Sequence, residues 1–165
     1  MSRCDILIEK TKYFEDRGSL YTIYNESDFD IKFVQDKISK SNQGVIRGFH
    51  GDCKTSKLIS CLHGKIKLVT YSVDTDTKNE YILSGDSKAS ESVLVPPRTL
   101  NAHQCLSNNC IFHYKWSEYY TSPEDQWSVN YNDVDIEPDW CDDFFMIVSE
   151  RDRLSKSLSE LKESI

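Results

Sequence analysis

Four short blocks of this 165-residue chain carry the side chains that proton transfer and anion binding require. The first is Gly44-Val45-Ile46-Arg47-Gly48-Phe49-His50-Gly51-Asp52. A neutral imidazole is a suitable base near pH 7. An arginine binds two oxygens of a phosphate or carboxylate at once through its planar fork. Residues two apart on a strand share a face, so strict alternation sends Arg47 and Phe49 one way and Ile46, Gly48 and His50 the other. A bulge or bend at Gly48 would bring Arg47 and His50 to one pocket. Taken alone, a single His in a strand is more often structural than catalytic, and Arg47 fits a surface ion pair equally well.

The second block is Pro96-Pro97-Arg98-Thr99-Leu100-Asn101-Ala102-His103. The third, His113-Tyr114-Lys115-Trp116, ends a strand and leads into Glu118-Tyr119-Tyr120. The fourth is Ser149-Glu150-Arg151-Asp152, just before the terminal segment. A tyrosine with an unperturbed pKa of about 10 stays protonated and can serve as an acid. His63 and His113 have no supporting pattern and read as turn or face residues.

The elements that must position these blocks are mostly strands. Short alternating or apolar runs recur at Asp5–Glu9, Leu20–Tyr24, Ile31–Gln35, Gly44–Phe49, Lys57–Cys61, Lys65–Val73, Glu80–Leu83, Ser92–Val95 and Cys110–Trp116. Many short strands at regular spacing predict a sandwich or barrel. The His63-Gly64 step reads as a hairpin turn, and Pro96-Pro97 ends a strand because neither residue can donate to a ladder. Leu154, Leu158, Leu161 and Ile165 lie at helical spacing, which predicts one amphipathic helix over Arg151–Ile165. No linker divides the chain, so residues 1–165 are expected to form one domain. The stretch Glu137–Phe145 (EPDWCDDFF) has no assignment from its pattern.

Composition narrows the partners. The net charge of -7 argues against general nucleic-acid binding, yet a few well-placed Arg and Lys side chains can still form a local pocket for a phosphorylated ligand. There is no signal-peptide apolar region and no run of about 20 apolar residues, so cytoplasmic residence without membrane insertion is expected. The six cysteines are then expected to be reduced thiols, and their spacing is not a zinc pattern.

Taken in order, these blocks resemble a known family. The order is Phe14-Glu15-Asp16-Arg17-Gly18, Gln35-Asp36-Lys37-Ile38-Ser39, GVIRGFHGD, Lys57-Leu58-Ile59, His103, Tyr114-Lys115, Asn132-Asp133 and Ser149-Glu150-Arg151-Asp152. It resembles the dTDP-4-dehydrorhamnose 3,5-epimerase family over roughly residues 12 to 155. The resemblance implies an all-β, cupin-like jelly roll (a double-stranded β-helix) with a short C-terminal helix, usually a homodimer, using no metal and no redox cofactor. The cupin metal pattern, HxH with a following Glu, is absent.

The same resemblance implies roles. His50 matches a catalytic base, Asp152 the carboxylate that fixes its tautomer, and Tyr114 the acid on the opposite face of the sugar ring. Lys57 matches the cation beside the ketone oxygen. His103, Arg47 and Gln35 match pocket residues, and Arg17 matches an arginine that grips the diphosphate, in some members from the neighbouring subunit. The implied substrate is a nucleotide-diphosphate-linked 4-keto-6-deoxy sugar, inverted at C3, C5 or both. The HGDCKTSKLISC segment is most similar to the subgroup acting on GDP-linked 6-deoxy-4-keto-heptoses. The alternatives are a 3,4-ketoisomerase of the same barrel class and a non-catalytic sugar-binding jelly roll.

Overall fold

The alternating runs form strands. In the computed structural model, which describes residues 4–165, these are β1 (Ile6–Thr11), β2 (Tyr13–Glu15), β3 (Gly18–Leu20), β4 (Gln35–Asn42), β5 (Val45–Gly51), β6 (Lys57–His63), β7 (Lys65–Ser72), β8 (Thr77–Ser84), β9 (Ala89–Val95), β10 (Thr99–Cys105), β11 (Asn109–Trp116), β12 (Trp127–Ser128) and β13 (Ile147–Val148). Two short helices follow, α1 (Glu150–Leu154) and α2 (Leu158–Ser164). One sheet runs β1-β9-β6-β11-β4 and the other β12-β5-β10-β7-β8, with β13 added in parallel beside β5. The remaining pairings in both sheets are antiparallel, giving the all-β jelly roll expected from the resemblance.

Strand alternation divides the apolar residues into two cores. Ile59, Cys61, Ile66, Leu68, Val93, Val95 and Phe112 come from both sheets and fill the space between them. Ile46, Phe49, Val69, Leu100 and Ala102 point out from the second sheet, where Val129, Ile136, Trp140, Leu158 and Leu161 cover them. Each Val, Leu, Ile or Phe side chain among them contributes about 1.5–3 kcal/mol when fully buried. The C-terminal region is therefore held against the sheet by its apolar contacts. Glu137–Phe145 joins this cover: Trp140 is buried and donates its indole N–H to the Tyr131 carbonyl, while Gln104 exchanges hydrogen bonds with the Cys141 backbone.

Several elements differ from the sequence reading. Leu20–Tyr24 is not a strand beyond Leu20: Tyr24 packs with Phe29 and Phe33, and Asn25 caps a short 3-10 turn at Glu26–Asp28. These apolar residues find ring partners instead of a ladder. Ile31–Gln35 is likewise irregular until Gln35, where β4 begins. The His63-Gly64 step is no hairpin, because β6 and β7 belong to different sheets and the turn carries the chain between them. β10 follows directly after Pro96-Pro97 and was not anticipated as a strand.

The single predicted C-terminal helix is two. Lys156 leaves the helix to bridge Val129, and Ser157 opens α2 with a capping box to Glu160. Caps of this kind are worth about 1 kcal/mol, enough to fix a new start. Only Leu158 and Leu161 of the predicted stripe are buried; Leu154 and Ile165 are exposed.

Candidate active site

The conflict between Arg47 and His50 is resolved by register. Arg47 lies opposite His103 and His50 opposite Asn101, so β5 holds one residue more than β10 between these pairs. That bulge turns both side chains to the same cavity. Gly48 sits in it with φ +114°, and a Cβ there would lie 2.5 Å from the Asn101 carbonyl oxygen and 2.8 Å from Ala102. The Gly48–Phe49 peptide bond is cis. Gly48→Ala is expected to destabilise the protein by about 3 kcal/mol or more, through backbone strain and overpacking. Chemical denaturation measures this directly.

The Gly48 N–H is taken instead by Asp152, whose Oδ2 accepts it at 3.2 Å. Three features hold Asp152 in place. β13 pairs with β5, Ser149 caps α1 and accepts from the Asp152 N–H, and the Tyr131 N–H donates to the Asp152 carbonyl. Its other carboxylate oxygen, Oδ1, lies 2.8 Å from His50 Nε2. A carboxylate only accepts, so His50 Nε2 carries the proton and Nδ1 keeps the lone pair. Burial alone would raise the Asp152 carboxyl, but the hydrogen bond and charge of His50 and the Gly48 N–H outweigh it and hold it below the usual carboxylate range.

His50 and Asp152 open onto a cavity of about 570 Å³, whose walls also include Arg47, Lys57, Asn101, His103, Tyr114 and Trp116. Lys57 is buried and donates to Asn101 Oδ1 at 2.9 Å. Burial is the main reason its ammonium is pushed down to about 8; the nearby charge of Lys37 adds to this and Asp52 opposes it. His103 is buried, stacks on Phe112 at 3.9 Å, and is pushed down to about 3 by burial, reinforced by Arg47 and His50. It is therefore neutral at physiological pH. Burial also raises the Tyr114 phenol, which keeps it protonated and able to donate.

The cavity is built to receive something polar. Ser39 Oγ, His103 Nε2, Trp116 Nε1 and Gln126 Nε2 are buried without a protein partner, and all four residues line it. An unsatisfied buried donor or acceptor costs about 1–3 kcal/mol, so a ligand or water is expected to complete them. Arg47, Lys37, Lys57 and Arg151 supply positive charge, and among the described residues Asp152 is the lone carboxylate lining the cavity.

Of the residues expected at the site, His50, Asp152, Lys57, Tyr114, Arg47 and His103 meet around this cavity. Gln35 stands behind it, its Oε1 accepting from the Tyr120 N–H at 2.9 Å, so it positions a wall residue. Arg17 is not brought in: its side chain is 84% exposed on the β2–β3 ribbon and pairs with Glu15. Lys37, Ser39 and Gln126 line the cavity but had no role in the sequence reading. Strand alternation through Gln35-Asp36-Lys37-Ile38-Ser39 would have placed Lys37 and Ser39 on the face of Gln35.

A family model described as dTDP-4-dehydrorhamnose 3,5-epimerase matches residues 5–160. The dTDP-4-dehydrorhamnose 3,5-epimerase of Escherichia coli K12 is 31% identical, covering 95% of this chain and 91% of that protein. Its counterpart in Methanothermobacter thermautotrophicus is 33% identical over 94% and 90%. Among solved structures, dTDP-6-deoxy-D-glucose-3,5-epimerase from Legionella pneumophila, in complex with dTDP-4-keto-L-rhamnose, superposes with a TM-score of 0.86 at 27% identity, covering 94% of this chain and 88% of that one. The Bacillus anthracis epimerase with TDP and pyrophosphate bound gives 0.84 at 30% identity, covering 93% and 94%.

The fold and the chemistry of the cavity are those of a cupin-like isomerase. The chain belongs to the dTDP-4-dehydrorhamnose 3,5-epimerase family.

Proposed function

We propose that this chain epimerises a nucleotide-diphosphate-linked 4-keto-6-deoxy sugar at C3, C5 or both, with His50 as base and Tyr114 as acid. The observation that carries the reading is one cavity lined by a carboxylate-braced imidazole, a protonated phenol and a buried ammonium. A proton on carbon next to a ketone is weakly acidic, and its removal leaves charge on the ketone oxygen. His50 Nδ1 takes that proton, and Asp152 stabilises the imidazolium. Lys57 stands at the oxygen where charge builds. Tyr114 then delivers a proton to the opposite face of the carbon and is reprotonated from solvent.

The test is incubation in deuterated water with dTDP- and GDP-linked 4-keto-6-deoxy sugars, followed by NMR. Deuterium at C3 or C5 with an inverted product supports the reading. A product with the carbonyl moved to C3 identifies a ketoisomerase, and no exchange with either nucleotide leaves a binding module. Lys57 adds a pH signature. Below about pH 8 it is an ammonium; above, a neutral amine that offers the enolate no charge. kcat/KM is expected to fall as pH rises through that range. Lys57→Arg, which does not titrate there, should remove this limb.

The working unit in this proposal is a homodimer in which the β2–β3 ribbon reaches a second copy and brings Arg17 to its diphosphate. Exposed Tyr13, Phe14 and Leu20 on the ribbon support it. Among the described residues no helix is long and apolar enough to cross a membrane.

A further inference from the structure

His113 and Lys115 flank Tyr114 on β11 and point the other way. Alternation turns Tyr114 and Trp116 to the cavity, and His113 and Lys115 to the outer face of the sheet. There both meet one carboxylate. Asp36 of β4 accepts from Lys115 Nζ with both oxygens, at 2.8 Å each, and its Oδ1 lies 2.8 Å from His113 Nε2. A carboxylate only accepts, so Nε2 carries the proton. In the ladder Lys115 stands opposite Asp36, Tyr114 opposite Lys37 and His113 opposite Ile38. Asp36 therefore reaches one partner straight across and the other on the diagonal, bracketing Tyr114. Burial raises the Asp36 carboxyl, but the hydrogen bonds from Lys115 and His113 outweigh it and hold it below the usual carboxylate range. The Lys115 ammonium also sits 4.3 Å from the centroid of the Tyr24 ring, which packs with Phe29 and Phe33.

This clamp acts where side-chain packing does little. β4 is an edge strand of its sheet, its one apolar residue, Ile38, is 60% exposed, and Lys37 and Ser39 face the cavity. His113 is 7% exposed, and its Nδ1 has no partner among the described residues. Losing Asp36 would leave that buried ring without a hydrogen bond, which a buried polar group tolerates poorly. The base is anchored elsewhere: His50 lies on β5 in the other sheet and is tied to Asp152. Loosening the clamp therefore shifts the phenol and leaves the imidazole in place. We infer that His113, Asp36 and Lys115 are positioning residues that hold Tyr114 at the depth where its phenol faces His50 across the cavity. This rests on the assignment of Tyr114 as the acid in the reading above.

The experiment follows deuterium exchange and inversion in one NMR time course, on the full chain with dTDP- and GDP-linked 4-keto-6-deoxy sugars. His113→Leu and Asp36→Ala are each expected to lower inversion about tenfold relative to exchange, within the roughly 10²-fold that a misplacement of about 1 Å can cost. The double variant should match Asp36→Ala, because that change already removes the contact His113 makes. His113→Gln, whose amide N–H can donate to Asp36, should restore most of the ratio. A role confined to stability lowers the melting temperature and reduces exchange and inversion alike. An unchanged ratio in folded His113→Leu and Asp36→Ala, with Tyr114→Phe still splitting the reaction, overturns the inference and leaves the epimerase reading standing. If neither variant folds, Asp36→Asn, which keeps the shape and one acceptor, takes their place in the same comparison. A wild type that shows no exchange, or a Tyr114→Phe protein that loses exchange and inversion equally, overturns the reading beneath the inference and the inference with it.

Discussion

His50→Asn is expected to lower solvent exchange at the carbon next to the ketone by about 10³-fold or more, the scale of a positioned general base. The expectation follows from one geometry. Nε2 is committed to Asp152 at 2.8 Å, so the remaining ring nitrogen is the only basic atom that residue 50 offers the cavity. An amide has none. The substitution also removes a hydrogen bond from a carboxylate that is 4% exposed. In the wild type the carboxyl is held low, so its pairing contributes stability above the unfolded carboxylate pKa and loses it as pH falls through the folded value. The variant should lack that contribution, and its acid unfolding should begin at higher pH. Exchange followed by NMR, beside a pH series of thermal melts, separates the two effects. Retained exchange in a folded His50→Asn protein would remove His50 from the role of base.

Tyr114→Phe is expected to split the reaction into halves. The phenol is the proton source on the second face, and burial keeps it protonated well above neutral pH. The ring itself packs against Phe112 at 4.9 Å and Trp116 at 5.7 Å, so Phe preserves the wall. Proton loss to His50 should continue, and deuterium should enter with retained configuration. Inverted product should fall by about 10²-fold or more relative to exchange. The ratio of exchange to inversion, read from one NMR time course, is independent of enzyme concentration. Equal loss of both would place the acid elsewhere or make Tyr114 part of the substrate fit.

The fold was legible where runs are apolar or alternate: DILIE, KLISC and CIFHYKW lie in β1, β6 and β11, of which β6 is buried at all five of those positions while β1 stays at the surface. β4 was missed for the converse reason. Its inward residues Gln35, Lys37, Ser39 and Ser41 are all polar, Lys37 and Ser39 because they face a ligand cavity rather than a core, so the hydrophobic period vanishes there. β10 was hidden similarly, with Asn101 and His103 turned to the cavity and only Leu100 and Ala102 to the apolar cover.

The sequence by itself determined the inventory of chemistry and its order along the chain: an imidazole in RGFH, a phenol in HYK, a carboxylate in SERD, and many short strands to carry them. Those are local facts, set by residue type and by the period of each strand. Only the tertiary structure decided which groups meet. A one-residue bulge at Gly48 turns Arg47 and His50 to one side, and the pairing of β13 with β5 carries Asp152 across about a hundred residues of chain to His50. Such contacts depend on register and on packing between distant segments, which no window along the chain contains. The exposed position of Arg17 was settled in the same way.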